Sequence, residues 1–255
     1  MVHLLGYDLQ KPDLLPVLDA KDIKTSDIHI QVPRVDKDRC RFCGACLSAC
    51  DCGALHIDRS IPALVTDPEK CEACGDCEAG CSLNGISYKQ RISGQILHYH
   101  QDNFQISIGA ADEREEFLLP LICSLNRMVN TEHFSICDTS PGIGGDVLTT
   151  LRDADFAIVM VNPGEHWHRN LLLLTEKLSE KDIKFGLLVN KHRKEDGFIE
   201  EVEDTCLRDS IPFLGAIPFC TQFEILEKTF DLKDNDPKME SIFAAVWDKI
   251  SLVLS

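Results

Sequence analysis

The stretches CRFCGACLSAC (residues 40–50) and CEACGDCEAGC (residues 71–81) decide the reading of this chain. Each has the form C-x2-C-x2-C-x3-C, and the second begins 31 residues after the first. Together they hold eight of the 13 cysteines. This is an internal repeat whose unit has the ligand spacing of bacterial iron–sulfur sites. Three cysteines at x2 intervals wrap one face of a cubane in a tight loop. Gly44 and Gly75 lie within those loops, where the backbone must approach sulfide closely or take a positive φ. The fourth cysteine, expected at the start of a short helix, points away from its own loop and toward the other cluster. The expected sets are Cys40, Cys43, Cys46 and Cys81 for one 4Fe–4S cluster, and Cys71, Cys74, Cys77 and Cys50 for the second. Zinc fits less well, because two CxxC pairs would leave the x3 cysteines without a role. Disulfides need an oxidising compartment. The opening MVHLLGYDLQKPD has no basic region followed by a long apolar core, so no export signal is read there.

Five cysteines remain: Cys52, Cys123, Cys137, Cys206 and Cys220. Scattered through mostly apolar segments, they read as buried small hydrophobes. Cys52 stands apart, because it adjoins a ligand and could substitute for it.

At 255 residues the chain is long enough for one large or two small domains with a sizeable core. Its 44% apolar and 27% charged composition excludes disorder as the dominant state. The net charge of −16 argues against nucleic-acid binding and suits a partner with a basic docking surface. No apolar run is long enough to span a bilayer, and a cytoplasmic location is expected.

Beyond residue 96, short apolar runs alternate with amphipathic ones. FSICD (134–138), DFAIVMV (155–161), KFGLLVN (184–190) and PFLGAIP (212–218) read as buried strands. Helices are expected over about 115–129, 144–152, 166–179, 197–208 and 221–229, with a last one near 239–254. This alternation predicts an α/β fold, a parallel sheet with helices on both faces and ligands beyond the strand carboxyl ends. Asp138, at the tip of FSICD before the Gly-rich TSPGIGGD, is placed to hold a phosphate-bound magnesium. Asn190, at the tip of KFGLLVN, is placed to pair with a purine edge. The run ADEREEF (111–117) reads as a solvated helix start. The pairs His98/His100 and His166/His168 read as structural. The amphipathic C-terminal stretch reads as a helix docked on its own sheet, since it lacks a basic polar face for membranes.

Residues 34–90 resemble the two-cluster bacterial ferredoxin domain, an α+β module. That family usually has proline after the fourth cysteine. Asp51 and Ser82 stand there instead, a change expected to alter solvent exposure and potential but not ligation. The flanking segments resemble the MinD/ParA group of P-loop ATPases, which includes Mrp-type iron–sulfur carriers. DTSPG (138–142) is similar to its D-x-P-P-G segment, VNK (189–191) to its adenine-contacting strand end, and LGAIPF (214–219) to its later base-side loop. LLGYDLQKPD (4–13) is similar to its switch segment. The resemblance implies Asp8 as the switch carboxylate, with Asp13 where asparagine is usual. It also implies Asp138, Asn190 and Pro218 at a site for ATP or ADP with magnesium.

The order of parts resembles MinD-superfamily ATPases with an inserted ferredoxin domain. It implies ATPase-like segments at 1–33 and 91–255 around an insert at 34–90. Such proteins open with a strand and a P-loop lysine. No G-x-x-x-x-G-K-[ST] occurs here, so ATPase activity is left open. A sheet without that strand is expected to expose strand edges and apolar surface. The function expected is electron transfer; the alternatives are a cluster carrier and a ferredoxin subunit docked on a redox enzyme. A homodimer, or a subunit supplying the P-loop, is the further partner implied.

Overall fold

A computed structural model describes residues 2–12, 23–58, 63–68, 70–101, 103–130, 133–164, 167–193, 197–219 and 237–254. They divide into two compact units, one running to Ser140 and the other starting at Pro141.

The first unit contains β1 (Val2–Gly6), β2 (Lys24–Val35), α1 (Ala45–Ser48), β3 (Leu55–Asp58), β4 (Ala63–Thr66), α2 (Asp76–Ala79), β5 (Ile86–Gln101), β6 (Phe104–Ala111), α3 (Leu119–Asn126) and β7 (Phe134–Asp138). Five strands form one sheet in the order β2-β5-β6-β1-β7, and β3 pairs with β4 separately. β6, β1 and β7 are parallel, as expected of short apolar runs. β2–β5 and β5–β6 are antiparallel, so this sheet is mixed. Leu121, Ile122 and Leu125 of α3 pack on Leu5, Tyr7, Leu9 and Ile96. Each fully buried leucine there contributes about 2 kcal/mol.

β5 is 16 residues long and carries a bulge. Ile28 pairs with Gly94 but His29 pairs with Ile92, which leaves Ser93 as the extra residue. Beside the bulge, the Arg91 guanidinium donates from Nη1 and Nη2 to the two carboxylate oxygens of Glu115, the second at 3.2 Å. The Phe117 N–H also donates to Glu115, at 3.0 Å. Glu115 is only 3% exposed, which corrects the solvated helix start expected over 111–117. A helix through residue 115 would turn its carboxylate away from Arg91, and α3 begins at Leu119 instead.

Three strands are joined by one hydroxyl. Ser107 Oγ on β6 lies 3.0 Å from His3 Nε2 on β1 and 3.2 Å from His98 Nδ1 on β5. Burial lowers the pKa of His3, against the pull of the Met128 carbonyl, and His98, His133 and His100 lower it further. Above pH 6.5 His3 is neutral both folded and unfolded. As pH falls below 6.5, the unfolded chain takes up a proton that the folded one resists, so stability is lost. Chemical denaturation between pH 7.5 and 5 is expected to show this loss, at up to about 1.4 kcal/mol per pH unit for His3. His3→Gln should flatten the slope; an unchanged slope would remove His3 as its source.

The second unit contains α4 (Gly145–Thr150), β8 (Phe156–Val161), α5 (Trp167–Glu180), β9 (Lys184–His192), α6 (Phe198–Asp209), β10 (Phe213–Pro218) and α7 (Pro237–Leu254). Its sheet, β10-β9-β8, is wholly parallel. Alternate residues of the strands serve opposite faces. Val159, Val161, Leu187 and Val189 pack with Leu171 and Leu178 of α5 and Val202 and Cys206 of α6. Leu188, Leu214 and Ile217 pack with Met239, Val246 and Ile250 of α7. Helices therefore cover both faces, and the C-terminal helix docks on its own sheet. No helix among the described residues is long and apolar enough to cross a membrane. The helix expected over 221–229 lies outside the described residues. Each sheet ends in a strand with exposed apolar side chains: Phe134 and Ile136 on β7, Ile158 and Met160 on β8.

Candidate metal centres and strand-tip residues

The cysteine repeat is also a repeat of backbone conformation. Phe42, Gly44 and Gly53 take positive φ, and so do Ala73, Gly75 and Asn84, each 31 residues later. A Cβ on Gly44 would meet nothing within 4 Å, so glycine is needed there for its φ of 81° rather than for space. Gly80 is different: a Cβ would stand 3.3 Å from that of Ala49, where α1 and α2 approach. The short helices hold the third cysteines, Cys46 and Cys77. The fourth cysteines, Cys50 and Cys81, follow the helix ends, which corrects their expected place at a helix start. One turn closes after the third thiol, and the chain then swings the fourth across to the other loop.

That crossing is visible in two cavities. One is lined by Cys40, Cys43, Cys46 and Cys81 with apolar Phe42, Leu47 and Leu83. The other is lined by Cys71, Cys74, Cys77 and Cys50, and also by Cys52 and Tyr88. The four thiols of each expected set thus line one cavity. The donor set suits iron–sulfur clusters: at least four soft thiols per cavity, with backbone N–H groups aimed at sulfur. Ala73 N–H donates to Cys71 Sγ at 3.4 Å and Gly85 N–H to Cys81 Sγ at 3.3 Å. In each cavity one cysteine, Cys43 or Cys74, is exposed, while Cys46, Cys71 and Cys77 are buried. Burial pushes the thiols of Cys46 and Cys77 up. Burial also raises the Tyr88 hydroxyl, which lies beside Glu78 and Cys77.

Of the other cysteines, Cys206 is buried in the second unit's core, where burial raises its thiol to about 11. Cys123 is half-buried. Cys137 is exposed, contrary to its reading as a buried hydrophobe, because β7 ends its sheet. Cys220 and His166 lie outside the described residues. His168 contacts Arg208 at 3.3 Å and stacks edge-on with Trp167, a structural role.

The four strand-tip residues fall in two pairs, one in each unit. Gly6 pairs with Asp138 across parallel β1 and β7, and Asp8 lies two residues after Gly6. The Tyr7 N–H donates to the Asp138 carbonyl at 2.8 Å, and Ser140 Oγ donates to the Tyr7 carbonyl at 3.1 Å. Asn190 and Pro218 stand at the carboxyl ends of adjacent β9 and β10. Asn190 Oδ1 accepts the Lys191 N–H at 3.0 Å, and Lys191 has a φ of 58°. Asp13 lies outside the described residues.

Sequence reasoning singled out Cys52 from its adjacency to Cys50, and the structure places it in the second cavity. It missed the Arg91–Glu115 pair, which had no signal.

Comparison with known proteins agrees with both parts of this architecture. Residues 30–85 match the 4Fe-4S dicluster domain family, so the chain carries an iron–sulfur domain. Around that domain it has the fold of the MinD-type P-loop ATPases. The MinC:MinD cell division complex of Aquifex aeolicus aligns with 98% of the chain and 83% of its own, at 14% identity and a TM-score of 0.52. The cell division ATPase MinD of Pyrococcus furiosus aligns with 61% and 69%, at 15% identity and a TM-score of 0.50. At these identities the likeness is one of fold. No curated protein matches the chain in sequence.

Proposed function

We propose that this chain is an iron–sulfur electron-transfer protein. Cys40, Cys43, Cys46 and Cys81 hold one 4Fe–4S cluster, and Cys71, Cys74, Cys77 and Cys50 hold a second. The observation that carries the reading is the pair of cavities, each lined by three thiols of one loop and the fourth of the other. A bound cluster supplies reversible one-electron chemistry. The protein's part is to bury Cys46 of one set and Cys71 and Cys77 of the other, keep most water out and leave one edge near the surface. Cys43 and Cys74 mark those edges, where a redox partner with a basic face would dock on this acidic chain. Ligation drawn from two loops favours keeping the clusters over handing them on.

The scaffold's strand tips are the place for nucleotide coupling. Asp8 and Asp138 would receive phosphate through magnesium, since two carboxylates repel a bare phosphate. Asn190 and Pro218 would face the base.

The test is anaerobic protein with its iron counted. About eight irons per chain, reversible reduction and no loss of iron to an apo-acceptor are expected. Ready transfer of iron to the acceptor would make it a carrier instead. Calorimetry with Mg-ATP on the same sample reads the coupling: heat that disappears on chelating magnesium supports it. No heat leaves a ferredoxin on a silent scaffold.

A further inference from the structure

The second cavity holds one more thiol than a four-iron cluster has corners. Cys50, Cys52, Cys71, Cys74 and Cys77 all line it. Cys50 Sγ and Cys52 Sγ are 3.7 Å apart, and either can donate its proton to the other. Two thiols in contact cannot each bind a separate iron of one cubane, so they compete for a single corner.

The position of Cys52 is no accident of local packing. The repeat places Leu83 at the equivalent point, 31 residues on, and Leu83 lines the first cavity beside Cys81. The residue two places after the fourth cysteine therefore faces the cluster site in both halves. In one half it is an apolar wall; in the other it is a ligand-competent thiol. Cys50 packs toward both cavities, among Cys46, Leu55 and Cys77 on one side and Ala54 and Cys71 on the other. Cys52 packs only with the second group. Gly53, at a φ of 67°, closes the turn that brings the two sulfurs onto the same cavity.

We propose that Cys52 is an alternative fourth ligand of the second cluster, exchanging with Cys50 at one iron. This rests on the reading that the second set of cysteines holds a 4Fe–4S cluster. In the exchange the iron–sulfur bond to Cys50 breaks and one to Cys52 forms. The proton leaves the Cys52 thiol and passes to the departing Cys50 thiolate across their contact. Charge and oxidation state are unchanged, and no outside reagent is consumed. Among the described residues the first cavity has no such spare, so the two sites differ in their tolerance of ligand loss.

The experiment uses the full chain, loaded anaerobically. Wild-type protein must first carry about eight irons; fewer would defeat the underlying reading and not this one. Cys50→Ala is expected to keep about eight, and the double variant Cys50→Ala/Cys52→Ala to keep about seven, with the magnetic signature of a three-iron cluster. Loss of iron in Cys50→Ala alone overturns the proposal. A second measurement needs no variant. Brief alkylation of the loaded wild-type protein marks whichever thiol of the pair is unligated. Label divided between Cys50 and Cys52 supports exchange, and label on Cys52 alone overturns it.

Discussion

Cys77→Ala is expected to strip the second cavity and to cut iron from about eight to about four per chain. Cys77 is buried, within a cluster of Cys46, Leu55 and Ile86 that Val35, Leu64 and Tyr88 adjoin. Few other apolar groups support this end of the unit, so cluster binding there is also folding energy. The loss of stability should exceed about 3 kcal/mol, the upper end of ordinary single-substitution effects. Iron analysis and thermal unfolding of the anaerobic protein check both. Full iron in this variant would remove Cys77 from the ligand set. Because burial holds the Cys77 and Cys46 thiols protonated, iron must displace their protons. Loading should therefore weaken as pH falls.

The second large effect is far from any thiol. Glu115→Ala should destabilise the first unit by about 3–5 kcal/mol, because it leaves the Arg91 charge without its bidentate partner. It also removes the acceptor of the Phe117 N–H. Glu115→Gln keeps the shape and one acceptor but loses the charge, and should fall between the two. Denaturant unfolding with the iron held constant separates this from cluster loss. A change below about 0.5 kcal/mol would mean that Arg91 finds solvent instead.

Both effects bear on what the sequence makes legible. The cysteines were readable because metal ligation demands fixed spacing within a short stretch. β9 and β10 were readable because buried strands are nearly continuous apolar runs, and β7 and β8 carry the same kind of run although part of it is exposed. The hairpin of β5 and β6 was not fully readable. Only ILHYH (96–100), with its alternating histidines, reads as a strand there; KQRISGQ carries too many polar groups to announce one, and polar side chains find their partners across strands, as His98 does at Ser107. Glu115 looked like any acid near a helix start, because its partner lies 24 residues earlier, beside a bulge that no local pattern marks. Cys137 looked buried because its strand is apolar; its exposure depends on which strands flank it.

The long strands of the first unit have a mechanical consequence. β2 and β5 run unbroken from the sheet that bears Asp8 and Asp138 into the domain that bears the thiols. At about 3.3 Å per residue, β5 alone is a beam of roughly 50 Å. Its one joint, the bulge at Ser93, is clamped by the Arg91–Glu115 pair. A module hung on flexible linkers would absorb a small displacement at the strand tips as slack. This one would transmit it as lever motion, swinging the cluster domain through an arc larger than the displacement that drove it. By the same token it cannot be cut out as a cassette: excision at residues 30 and 85 would sever β2 and leave Ile30–Val35 without their β5 partners.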